Sequence, residues 1–194
     1  MTPNAIVTLV EQELKAGIVS RHFLPDMVIL DPVLTVGLPP FITAPTGMDA
    51  FIHSLESFIS KKANPIADAF CLKSMALIAR NLRTAYHDGK NLEARHNMLI
   101  GSTLGGMALT GSGTAAVHAL AYPLGGKFKV SHGVSNSILL VPVMEFNLSA
   151  AEARLAEVAE CMGLEVHGLS QRAKAEKCID ELKSLVDELA IPKS

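Results

Sequence analysis

Apolar residues recur at helical spacing along most of this chain, and strict alternation is rare. The pattern predicts helices over residues 4–15, 46–60, 65–87, 91–109, 114–124, 133–145, 149–162 and 168–190. Local chemistry sets the boundaries. Asn64 caps free amides ahead of Pro65, whose missing donor is not needed in a first turn, and Asp88-Gly89 closes that helix. Leu38-Pro39-Pro40 interrupts regular structure, so the first long helix is expected to start between Thr43 and Thr46. One short apolar run, Phe23 to Leu30, ends at Asp31-Pro32 and is expected to be the only strand. The predicted fold class is all-α.

Met98 to Gly126 contains no Lys, Arg, Asp or Glu, a composition that also suits a membrane span. Gly101, Gly105, Gly106, Gly111 and Gly113 break the run, with Thr110 to Gly113 reading as a turn, so a buried helical hairpin is expected instead. Composition agrees with packed helices: 49% of the 194 residues are hydrophobic, only 5% are aromatic and Trp is absent. Mean hydropathy is +0.32, which excludes disorder. Seventeen basic residues against nineteen acidic ones leave a net charge of -2, so neither nucleic acid nor a membrane surface is an expected partner. Cys71, Cys161 and Cys178 are too scattered for a metal clip or a disulfide framework and read as reduced thiols. With no basic, apolar leader at the start, a cytoplasmic location is expected.

Four residues carry candidate chemistry. Asp49 and His53 lie four apart, so both project from one helix face. That spacing also occurs on solvated helices, but Met48, Ala50, Phe51, Ile52 and Leu55 around the pair predict burial, where an unpaired carboxylate is costly. His118 sits in TAAVHALAYPL, whose one other ionisable group is Tyr122; a core histidine and a ligand both fit. His132, in VSHG at a loop-to-helix junction, fits a cap residue or a ligand. Together they form a mixed nitrogen and oxygen donor set suited to Fe(II), Zn(II) or a neighbouring first-row ion.

The stretches DPVLTVGLPPFITAPTGMDAFIHSLESF and AAVHALAYPLGGKFKVSHGVSNSILLVPVMEFN carry a resemblance. In them the chain resembles the iron-containing (group III) alcohol dehydrogenases over about residues 25–191. The resemblance implies the helical-bundle, metal-binding domain of a dehydroquinate-synthase-like alcohol dehydrogenase, with Asp49, His53, His118 and His132 as the metal ligands. It also implies interconversion of a small alcohol and its aldehyde or ketone with NAD or NADP. In such enzymes the ion serves as a Lewis acid toward substrate oxygen while hydride moves to or from nicotinamide. The histidines must bind as neutral imidazoles, so metal loading is expected to weaken as pH falls.

Two departures shape the expectation. Many members carry a second, substrate-facing histidine four residues after the third ligand, and here that position is Tyr122, able to donate a hydrogen bond or merely to line the pocket. Segment 107–113, MALTGSG, matches a pocket-lining region of the family. The family's GGGS-type nucleotide-binding motif is not found before Asp31, so the N-terminal α/β domain is expected to be largely missing. The division expected is a helix and link strand over 1–30, then a metal-binding domain over 31–194, truncated at its C-terminus. The expected partner is a nucleotide-binding domain or a second copy of the chain. Two other readings stand beside the dehydrogenase: a non-catalytic metal-binding scaffold, and a metal-independent enzyme like the related maleylacetate reductases.

Overall fold

The computed structural model describes residues 2–12 and 14–192. It opens with an antiparallel hairpin, β1 (Asn4–Leu9) and β2 (Leu14–Val19), registered from Asn4 opposite Val19 to Leu9 opposite Leu14. Short 3-10 turns follow at Arg21–Phe23 and Pro32–Thr35. The rest is helical: α1 (Pro40–Ile59), α2 (Pro65–His87), α3 (Leu92–Ser112), α4 (Ala116–Lys127), α5 (His132–Cys161) and α6 (Gln171–Glu188). The chain is all-α in class, with one small sheet at its start.

Four expected elements differ. Residues 4–12 and 14–15 form strand and turn rather than helix, because β-branched Ile6-Val7-Thr8 and Ile18-Val19 favour extended backbone, with Ile6 registered opposite Gly17 and Ala5 opposite Ile18. Phe23 to Leu30 is no strand: the described residues give it nothing to pair with, and Met27 and Ile29 stand 79% and 83% exposed. The first long helix starts at Pro40, ahead of both threonines, since a proline in the first turn lacks only a donor that helix starts leave unused. The two helices expected at 133–145 and 149–162 are one, α5, because Phe146-Asn147-Leu148 holds no breaker strong enough to stop it.

Helix α1 lies at the centre, packed against α2, α3, α4 and α5, and is buried on nearly every side. Met48, Phe51, Ile52, Leu55 and Phe58 of α1 meet Met75, Ile78 and Leu82 of α2 and Leu140 and Met144 of α5 in one core. Polar residues on α1 are therefore carried inside with it. Its start is fixed by the buried Arg95 of α3, which donates to the carbonyls of Leu38 and Gly89 and to Thr43 Oγ1. Where α1, α2 and α3 meet, Ser54 donates to Ser74 Oγ at 2.7 Å and Ser74 donates to the Gly101 carbonyl at 2.7 Å. Small residues make this junction possible: a Cβ on Gly105 would stand 2.7 Å from Ser54 Oγ. Ser74→Ala is expected to cost about 1–3 kcal/mol, read by urea unfolding, because it removes two buried hydrogen bonds and leaves the Ser54 hydroxyl only the Ala50 carbonyl at 3.3 Å.

The uncharged run from Met98 onward becomes α3 and α4, with the turn at Gly113, whose φ of 71° suits glycine. Among the described helices, α5 alone is long and apolar enough by composition to cross a membrane. Its Leu140, Met144 and Leu155 are instead buried in the helical core. All three cysteines are free, and burial pushes each thiol up to about 12.

Candidate metal centre

Helix α1 supplies Asp49 and His53 one turn apart, α4 supplies His118 in its first turn, and α5 begins at His132. These four side chains, separate in sequence, converge: each offers a ligand atom, and all four atoms lie within 4.8 Å of one another. Asp49 Oδ1 stands 3.5 Å from His118 Nε2 and 3.7 Å from His132 Nε2. The rings of His53 and His118 stack with centroids 4.6 Å apart, and His132 meets His118 edge-on at 5.3 Å. The His118 side chain is 3% exposed and that of His132 34%, so the cluster opens to the outside past His132.

Electrostatics follow from this enclosure. Burial works to raise Asp49, but polar contact with His118 and the neighbouring imidazoles outweigh it and hold the carboxyl at about 2. His53 falls to about 4, mainly through burial, so its ring is neutral near pH 7. His132 is lowered by burial as well. His118 is opposed by burial yet rises to about 9, because Asp49 and Glu56 flank its two nitrogens.

Two further residues complete the site, and the sequence reading did not single them out. Glu56, fully buried, accepts from His118 Nδ1 at 2.7 Å. Its spacing carries a signal: it lies seven residues after Asp49, two turns along the same face, inside an apolar run. Asn136, one turn beyond His132, places Nδ2 at 2.5 Å from Asp49 Oδ1 and at 3.2 Å from both His118 Nε2 and His132 Nε2. Its own Oδ1 is buried without a partner.

That orphaned oxygen bears on whether a metal ion fits. An amide nitrogen carries two hydrogens, too few for three convergent acceptors, and an unpaired buried carbonyl costs about 1–3 kcal/mol. The pocket is rich in lone pairs and short of positive charge. A first-row ion with bonds of about 2.1 Å spans ligands up to about 4.2 Å apart, so only a small contraction separates these atoms from a coordination set. One carboxylate and three imidazoles fit the group.

A sequence model of the Fe-containing alcohol dehydrogenase family, C-terminal, matches residues 43–194. The chain belongs to the iron-containing alcohol dehydrogenase family. It is 44% identical over 192 residues to the 1,3-propanediol dehydrogenase of Klebsiella pneumoniae, covering 99% of this chain and 50% of that protein. The long-chain-alcohol dehydrogenase 1 of Geobacillus thermodenitrificans (strain NG80-2) is 40% identical over 173 residues, covering 89% of this chain and 44% of its own length. A crystal structure of a 1,3-propanediol oxidoreductase superposes with a TM-score of 0.94 at 43% identity, covering 98% of this chain and 50% of that one. The chain thus spans about half the length of the relatives it matches.

Tyr122 lies one turn beyond His118 on α4, its ring parallel to that of His132 with centroids 6.4 Å apart. Burial, then the charges of Glu56 and Asp49, raise its hydroxyl, which stays protonated at neutral pH as a donor. Segment 107–113 forms the end of α3 and the turn after it. Ser112 and Gly113 there line a cleft of about 500 Å³ with Ser60 and Asn147, and that cleft includes none of the four convergent residues.

Proposed function

We propose that Asp49, His53, His118 and His132 hold a divalent first-row ion, Fe(II) or else Zn(II), and that this chain is the metal and substrate half of an NAD(P)-linked alcohol dehydrogenase. The observation that carries the reading is one carboxylate oxygen and three imidazole nitrogens within 4.8 Å of one another, delivered by three helices of one core. Bound there, the ion supplies Lewis acidity toward the oxygen of a small alcohol, aldehyde or ketone. The chain's own residues do the rest. His53 presents a neutral ring, Asp49 contributes negative charge, and the protonated Tyr122 hydroxyl is assigned as a hydrogen-bond donor to a substrate entering past His132. The dinucleotide is assigned to a nucleotide-binding domain outside residues 31–194. Exposed Met27, Ile29 and Leu34 offer that domain, or a second copy, an apolar surface.

The test has two parts. Metal analysis after aerobic and anaerobic purification is expected to find near one equivalent per chain, and no metal in either preparation refutes the ligand assignment. NAD(P)H oxidation with a panel of aldehydes is expected to be slight for the chain alone and robust once it is fused to a nucleotide-binding domain. The second reading, a scaffold whose ion only ties helices together, draws on the origin of the ligands in three separate helices. A metal-loaded fusion that binds dinucleotide and never turns over would favour it. The complete donor set argues against a metal-independent enzyme.

A further inference from the structure

Helix α4 begins without a cap of its own. Its N-cap residue is Ala115, which has no side-chain hydrogen bond to offer the free amides of the first turn. Those amides are met from another helix. Glu56 of α1 accepts from Val117 N through Oε1 at 2.6 Å, and from His118 N at 3.2 Å and His118 Nδ1 at 2.7 Å through Oε2. The carboxylate is fully buried, and among the described residues it has neither a lysine nor an arginine as an ion-pair partner. Its charge is met by two backbone N–H groups at the positive end of α4 and by the His118 ring.

We propose that Glu56 is the positioning residue of the metal centre, capping α4 from α1 and holding His118 with Nδ1 protonated and Nε2 free to bind the ion. The inference rests on the metal reading above. The logic is one of hydrogen-bond inventory. A carboxylate accepts at both oxygens, so Glu56 receives the backbone and the ring together, and the ring nitrogen facing it carries the hydrogen. Nε2 is then the nitrogen left for an ion, and it stands 3.5 Å from Asp49 Oδ1. One side chain thereby fixes where α4 starts, where His118 sits and which ring nitrogen is available.

Glu56→Gln separates these roles, because an amide cannot accept at both positions. Either its NH2 confronts Val117 N–H, or it donates to His118 Nδ1 and drives the ring hydrogen onto Nε2. The folded variant is expected to bind Co(II) about 10–100-fold more weakly than the wild type in a chelator competition, with a changed cobalt absorption spectrum. A second variant, Glu56→Gln with Ala115→Ser, gives α4 a local cap. It is expected to recover thermal stability without recovering Co(II) affinity, and it serves equally if Glu56→Gln alone does not fold. Wild-type affinity in the folded single variant, or recovery of affinity along with stability in the double variant, overturns the proposal by reducing Glu56 to a cap. Nitrogen-15 NMR of the metal-free wild type distinguishes failure here from failure of the metal reading. A protected Nδ1 proton on His118, lost in Glu56→Gln, supports the positioning role even if no ion binds, and an unprotected Nδ1 overturns it.

Discussion

His118→Ala is expected to lose metal by more than about 100-fold in affinity, beyond the roughly 10–100-fold that outer partners of a ligand command. Its second effect is on the fold. His118 is the ring on which the buried Glu56 carboxylate rests, and removing one member of a buried charged pair costs about 3–5 kcal/mol. His132→Ala makes the contrast. That side chain is 34% exposed, and the carboxylate beside it, Asp49, is itself partly exposed and keeps Asn136 as a donor, so metal should be lost while most stability remains. Metal content by mass spectrometry and urea unfolding of the metal-free proteins read the two effects separately. Retention of a full metal equivalent by His118→Ala would remove the histidine from the ligand set.

Gly133→Ala is expected to be the most damaging single-methyl addition near the site. A Cβ at 133 would lie 2.4 Å from the Pro45 carbonyl oxygen and 2.7 Å from its carbon, so it meets backbone that no rotamer change can move. Helix α5 must then back away from α1, at a cost of about 1–3 kcal/mol or more. His132, the neighbouring residue, moves with it and metal affinity should fall in parallel. Gly111→Ala is the matched control: its nearest neighbour would be Asn64 Nδ2 at 3.6 Å, and alanine within α3 should be neutral or stabilising by about 0.5–1 kcal/mol. Equal unfolding midpoints for Gly133→Ala and Gly111→Ala would show that the α1–α5 approach is looser than described.

The helices and the four convergent residues were legible in the sequence for different reasons. Asn64-Pro65 and Asp88 bound α2 as expected, because caps and prolines act within one turn of chain. Asp49 and His53 were visible as an i,i+4 pair, whereas joining them to His118 and His132 needed the family's spacing, since nothing local tells which distant helices meet. The hairpin was misread because six-residue strands with mixed faces give a weak periodic signal, and pairing partners are a tertiary fact. Glu56 escaped attention for a related reason. A lone glutamate in an apolar helix acquires meaning only when the start of α4 is seen above it.

Because the four convergent donors come from α1, α4 and α5, the proposed ion can be held only by the assembled bundle. In the unfolded chain the only local pair is Asp49 and His53, two donors on a segment that must itself be helical before they align. An ion arriving early finds no chelate worth keeping. Under the proposed ligand set, occupancy would be a late event, a seal set on a bundle already assembled, and the edge at His132, 34% exposed, is the side from which a scavenging chelator would break that seal first.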